Sequence, residues 1–187
     1  MIIIVPGLIH AGTTYLTRRL EAAGVDMGAR QTQNAEESTA HGLIVEGLGT
    51  LSLLERENRM RDLIDHPQDI RTGLIAYRRI REDSGAPVWG FKSPSADLFI
   101  QQITEVFPDA VYLVCLRDHV GCAAKRMREV HGLGMDQAVI NLAYRQAHLM
   151  RWVRTTKHAL WYRGDGDMTD VCAATGLDVT AEGYNAG

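Results

Sequence analysis

The 187-residue chain is poor in the features that mark specialised classes of protein. Its three cysteines, Cys115, Cys122 and Cys172, form no CxxC pair and have no metal-ligand spacing. An odd count without a framework points to buried thiols in a reducing compartment, and no metal is expected. Long apolar runs are missing: none approaches the roughly 18 residues that cross a bilayer. The first apolar run, Ile2-Ile3-Ile4-Val5, is too short for a signal peptide and follows no basic segment. A cytoplasmic protein with no membrane partner is therefore expected. Charge of one sign is also missing, with 20 basic against 23 acidic residues and a formal net charge of -3. That balance argues against a nucleic-acid partner met by a broad basic face. A small anionic ligand, which needs a few focused positive groups, stays compatible with it.

Repeats, low-complexity stretches and long linkers are absent too, so residues 1–187 read as one domain. A chain of this size buries roughly two-thirds of the surface its unfolded form exposes. The β-branched run at residues 2–5 shows no polar alternation, which suits a central parallel strand covered on both faces. Residues 13–23 follow with a helical pattern that places Leu16 and Leu20 on one stripe, and Gly24 suits the C-terminal cap. Polar residues 25–40 read as a loop, and residues 46–60 carry a weak helical signal. Further patterns predict a helix over 67–81, a short strand over 87–91 and a helix over 95–107. A second strong strand covers 110–116, and a basic helix begins near Val120. A long helix over 135–155, a strand over 159–162 and a helix over 168–175 close the chain. Strands alternating with helices predict an α/β fold: a three-layer α/β/α domain with a doubly wound, mainly parallel sheet.

Between the first strand and first helix lies Gly7-Leu8-Ile9-His10-Ala11-Gly12-Thr13-Thr14. It matches the phosphate-binding P-loop pattern at both glycines and at the final hydroxyl residue, but Thr13 stands where lysine is required. Glycines let the backbone turn sharply and bring amides toward a phosphate, and the helix presents its free N-terminal amides to the same anion. Without the lysine, the main contact to the β and γ phosphates of ATP is lost.

The same segment resembles the 5′-phosphosulfate loop of sulfotransferases that use 3′-phosphoadenosine 5′-phosphosulfate (PAPS). Ala11-Gly12-Thr13-Thr14 aligns with that family's Ser-Gly-Thr-Thr, and His10 stands at its basic position. Trp89-Gly90-Phe91-Lys92-Ser93-Pro94 is similar to the family's Trp-Gly-x-Lys-x-Pro segment. Phe107-Pro108-Asp109-Ala110, the strand after it and Arg117-Asp118 resemble its 3′-phosphate fingerprint. Lys125 stands eight positions after Arg117, where serine is usual, and His119 replaces a proline. Trp161-Tyr162 and Ala174-Thr175-Gly176-Leu177 are similar to the closing strand and final helix.

The resemblance implies a P-loop nucleoside triphosphate hydrolase-like fold and transfer of a sulfuryl group from PAPS to the hydroxyl or amine of a small-molecule acceptor. His10, Ala11, Gly12, Thr13 and Thr14 would hold the 5′ end of the donor. Arg117 ends a core strand at the edge where open parallel sheets bind ligands, and its fork suits a terminal phosphate. Lys125, two helical turns on, would share that group. His10 as imidazolium and Lys92 would stabilise the leaving phosphate. Glu46, after Gly42-Leu43-Ile44-Val45, or His41 would take the acceptor's proton. Two alternatives stand beside this reading. One is a P-loop nucleotide or nucleoside kinase in which Arg18 or Arg128 replaces the missing lysine. The other is an inactive nucleotide-binding protein of the same fold.

Overall fold

The structure, a computed structural model, describes residues 1–8, 11–28, 67–93, 96–116, 118, 120–121, 135–162 and 167–180, with backbone alone for 137 and 159–162. Four strands, β1 (Ile2–Pro6), β2 (Trp89–Ser93), β3 (Val111–Leu116) and β4 (His158–Tyr162), form one sheet in the order β2-β1-β3-β4. Every pairing is parallel, with Ile2 opposite Trp89, Ile3 opposite Val111 and Tyr112 opposite His158. The helices are α1 (Thr13–Ala22), α2 (Pro67–Asp83), α3 (Ile100–Val106), α4 (Met135–Val153) and α5 (Thr169–Thr175), with a 3-10 turn at Ala96–Leu98.

Side-chain alternation along the strands divides the core into two apolar layers. Ile3, Val5, Leu113 and Cys115 face Leu16 and Leu20 of α1 and Val171 of α5. Ile4, Tyr112, Val114 and Leu116 face Ile70, Leu74 and Tyr77 of α2 and Ile100 and Ile103 of α3. Helix α4 serves both layers: Ala138 and Leu142 belong to the first, Leu149 and Val153 to the second. The sheet is thus a middle layer between helices, and β1 and β3 lack polar alternation because both their faces are covered.

Aromatic residues make up only 6% of the chain, yet the second layer gathers several of them. Tyr77 meets Trp89 and Phe91 edge-on at 6.1 and 5.5 Å, and Phe107 meets Phe91 at 5.5 Å. Beside this cluster Arg81 donates to the backbone oxygen of Asp26 at 2.9 Å and to its carboxylate at 2.8 Å. Its guanidinium also lies over the Trp89 ring. The Arg81 hydrogen bond holds the Asp26 carboxyl below its ordinary range. Asp26 itself bridges to Trp89 along the outer edge of β2, accepting from Gly90 N at 2.9 Å. That bridge covers part of the edge that β2 presents among the described residues.

Most expected elements lie where periodicity placed them, and two differ. Strand β2 runs from Trp89 to Ser93 rather than over 87–91, so Lys92 and Ser93 are inside the strand and not beyond it. Parallel pairing with β1 extends through Pro6 and Ser93, and that ladder sets the strand's end. The helix expected over 95–107 is divided into the 3-10 turn and α3, with Phe99 between them buried in the core. The weak helix at 46–60 and most of the loop at 25–40 lie outside the described residues. Gly24 adopts φ 86° and its amide bonds Glu21 O, closing α1 as expected. Among the described residues no helix is long and apolar enough to cross a membrane, and no group of three or more His, Cys, Asp or Glu is placed to hold a metal.

Candidate functional site

Strand β1 is central, and the chain leaves it first toward β2 on one side and later toward β3 on the other. The C-terminal ends of β1 and β3 therefore flank a point where the winding reverses, which is where open α/β sheets hold ligands. The loop from Gly7 starts at that point. Gly7 N donates to Ser93 O at 3.3 Å, and Gly7 bridges in parallel to Cys115. A Cβ on Gly7 would stand 2.6 Å from Thr13 Cγ2 and 3.2 Å from Cys115 Cβ. Glycine at this position is what lets the first residue of α1 close onto the strand exit.

Ala11 N donates to Leu8 O at 3.0 Å, turning the chain back toward the helix. Gly12 then takes the left-handed conformation, φ 98° and ψ 9°, as N-cap of α1, with no side-chain cap. The first turn carries no acidic residue. Positive φ costs glycine little and other residues much more. An α-helix start without a side-chain cap leaves first-turn amides open to an anion or to water.

Lys92 comes to this helix start from β2. Its Nζ donates to Thr14 Oγ1 at 3.2 Å, across 78 residues of sequence. Lys92 is 3% exposed and Thr13 4% exposed, so the ammonium and the helix start share an interior setting. The same ammonium acts on Cys115 at the end of β3. Burial pushes that thiol up, and the nearby Lys92 charge draws it partly back. A bulk-solvated strand-end lysine is therefore excluded as the description of Lys92. Ser93, the next residue, is also 3% exposed, and its Oγ has no hydrogen-bond partner among the described residues.

Four residues past Ser93, Asp97 sits in the 3-10 turn and binds Arg145 of α4 through two parallel bonds. Nε reaches Oδ2 at 2.7 Å and Nη2 reaches Oδ1 at 2.6 Å. The Asp97 side chain is 2% exposed and that of Arg145 14%. This pair pins the chain leaving β2 to α4, close in sequence to Lys92 and Ser93.

Of the residues singled out from the sequence, the fold brings Ala11, Gly12, Thr13, Thr14 and Lys92 together. Ala11 is buried in the apolar layer beside Leu8, so its methyl group packs inward. His10, His41, Glu46, Arg117 and Lys125 lie outside the described residues, as does Arg128. Asp118, just after β3, accepts from Gly121 N at 2.6 Å. Ser93 and the Asp97–Arg145 pair were not singled out from the sequence. Asp97 lies inside a stretch read as one helix, and its partner is 48 residues away, so no spacing rule connects them. The chain matches no protein-family model and no curated protein sequence.

Proposed function

We propose that the chain is a sulfotransferase with a P-loop-type fold, which takes PAPS as donor and a small molecule bearing a hydroxyl or amine as acceptor. The observation that carries this reading is the delivery of Lys92 Nζ to Thr14 Oγ1 at an uncapped helix start. The loop lacks a lysine of its own, and the neighbouring strand supplies a positive group in its place. In this reading the amides after Gly12 and the hydroxyls of Thr13 and Thr14 bind the donor's 5′-phosphate. Lys92, with His10 as imidazolium, stabilises charge on the oxygen that bridges phosphorus and sulfur as its bond to sulfur breaks. The acceptor oxygen or nitrogen forms the new bond to sulfur, and its proton passes to Glu46 or His41. Arg117 and Lys125 bind the 3′-phosphate, whose absence from ATP sets the nucleotide preference.

Calorimetric titration with 3′-phosphoadenosine 5′-phosphate, without metal, tests this directly. Wild type is expected to bind it in preference to magnesium-ATP. Lys92→Met is expected to weaken that binding by about 10- to 100-fold, the loss of one charge-assisted hydrogen bond. No binding by wild type refutes the reading. A preference for magnesium-ATP assigns the kinase alternative instead, with Arg18 or Arg128 in place of the loop lysine. Binding without turnover across a panel of alcohols, phenols and amines assigns the inactive alternative.

A further inference from the structure

Ser93 is the feature that the proposed chemistry leaves unexplained. Its hydroxyl is buried at the C-terminal end of β2 and has no partner among the described residues. A buried hydroxyl left unsatisfied costs about 1–3 kcal/mol, so such groups normally find partners. Tyr77 is a second residue whose hydroxyl has no partner among the described residues, but it stands over Trp89 and Phe91, inside the aromatic layer. Ser93 instead stands at the ligand edge of the sheet, and its backbone oxygen accepts from Gly7 at the start of the loop.

Strand alternation sets the direction from which each group approaches. Lys92 reaches the α1 side, where it meets Thr14. Ser93 shares the other face of the strand with Trp89 and Phe91. A ligand whose phosphate is cradled at the start of α1 lies at the carboxyl ends of the strands, where Ser93 also stands. Ser93 is then placed for the part beyond the cradled phosphate.

Building on the sulfotransferase reading, we infer that Ser93 Oγ is a further binding group, donating its hydrogen bond to an oxygen of the donor's terminal sulfuryl group. Thr13, Lys92 and Ser93 are each at most 4% exposed. In such a dry setting a hydroxyl-to-anion bond is stronger than it would be in water. The ligand supplies the missing acceptor, and the hydroxyl distinguishes sulfated donor from desulfated product.

Ser93→Ala tests this by comparing two ligands, PAPS and 3′-phosphoadenosine 5′-phosphate, by calorimetry without acceptor. The variant is expected to bind PAPS about tenfold more weakly and the bisphosphate within about twofold of wild type. Its melting temperature is expected to be unchanged or raised, since an unsatisfied buried group is removed. Equal affinities of variant and wild type for PAPS overturn the inference, and so does an equal loss for both ligands. A lowered melting temperature with unchanged PAPS affinity makes Ser93 a structural residue. Failure of wild type to bind either nucleotide refutes the sulfotransferase reading itself, and this inference with it.

Discussion

Removing the Asp97 carboxylate leaves the Arg145 guanidinium in a site where its side chain is 14% exposed, with two bonds of 2.6 and 2.7 Å broken. Each charge-assisted bond contributes about 1.5–3 kcal/mol. Breaking one partner of a buried pair typically costs about 3–5 kcal/mol. The residual exposure of Arg145 lets water reach the stranded charge, which places Asp97→Ala near 3 kcal/mol. For a domain of this size each kcal/mol moves the melting temperature by about 2–4 °C, so a fall of roughly 6–12 °C is expected. The double variant Asp97→Leu/Arg145→Met removes both charges and fills similar volume. It is expected within about 1.5 kcal/mol of wild type, because a buried pair adds little over a packed apolar one. Urea unfolding followed by circular dichroism, on wild type, Asp97→Leu, Arg145→Met and their double, closes the cycle, with Asp97→Ala measured beside it. A cost below about 1 kcal/mol for Asp97→Ala, or a double variant as unstable as the sum of the singles, refutes the reasoning. Success would show that the cost of Asp97→Ala is the stranded Arg145 charge, and that a packed apolar pair can join the chain leaving β2 to α4 as well as the ion pair does.

Two further outcomes can be checked with the same unfolding assays. Gly90→Ala places a Cβ 1.9 Å from Ile3 O and 3.3 Å from Met27 Sδ, so it is expected to cost more than about 3 kcal/mol or abolish folding; a wild-type urea midpoint would disprove that approach of β2 to β1. Burial pushes the Tyr77 and Tyr112 phenols from 10.0 up to about 12. Folding thus favours the protonated phenols: their contribution is full below pH 10 and falls away as pH rises through about 12. Tyr77→Phe removes a hydroxyl without a partner among the described residues and is expected to be neutral at pH 7 and shallower in its alkaline loss. Tyr112→Phe loses the bond to Phe107 O at 2.8 Å and is expected to cost about 1 kcal/mol at neutral pH. Equal neutral-pH costs for the two would refute the distinction.

Much of the architecture was legible because strong local patterns and burial agree. The apolar runs Ile2–Pro6 and Val111–Leu116 are buried on both faces, and Ile70, Leu74 and Tyr77 share the inner stripe of α2. The turn chemistry was equally readable: Gly12 and Gly24 both adopt positive φ, which their positions before and after a helical pattern suggested. The Lys92–Thr14 contact and the Asp97–Arg145 pair were not legible for one common reason. A charged residue is normally solvated, and local periodicity cannot show that a partner 78 or 48 residues away will receive it. The end of β2 was misplaced for a related reason, since parallel pairing with Pro6 carries the strand through Lys92 and Ser93.

The sequence by itself determined the strand–loop–helix at the N-terminus, the alternation of strands and helices, and the glycines on which the loop depends. These follow from side-chain volume, β-branching and backbone freedom, which act between near neighbours along the chain. Tertiary structure alone decided the strand order, and with it the edge at which Gly7, Thr14, Lys92 and Ser93 converge. It also decided which polar groups lost their water, because desolvation depends on what packs over a residue and not on its neighbours in sequence. Lys92 entered the interior with Thr14 Oγ1 as an acceptor, while the Ser93 hydroxyl entered it with none among the described residues.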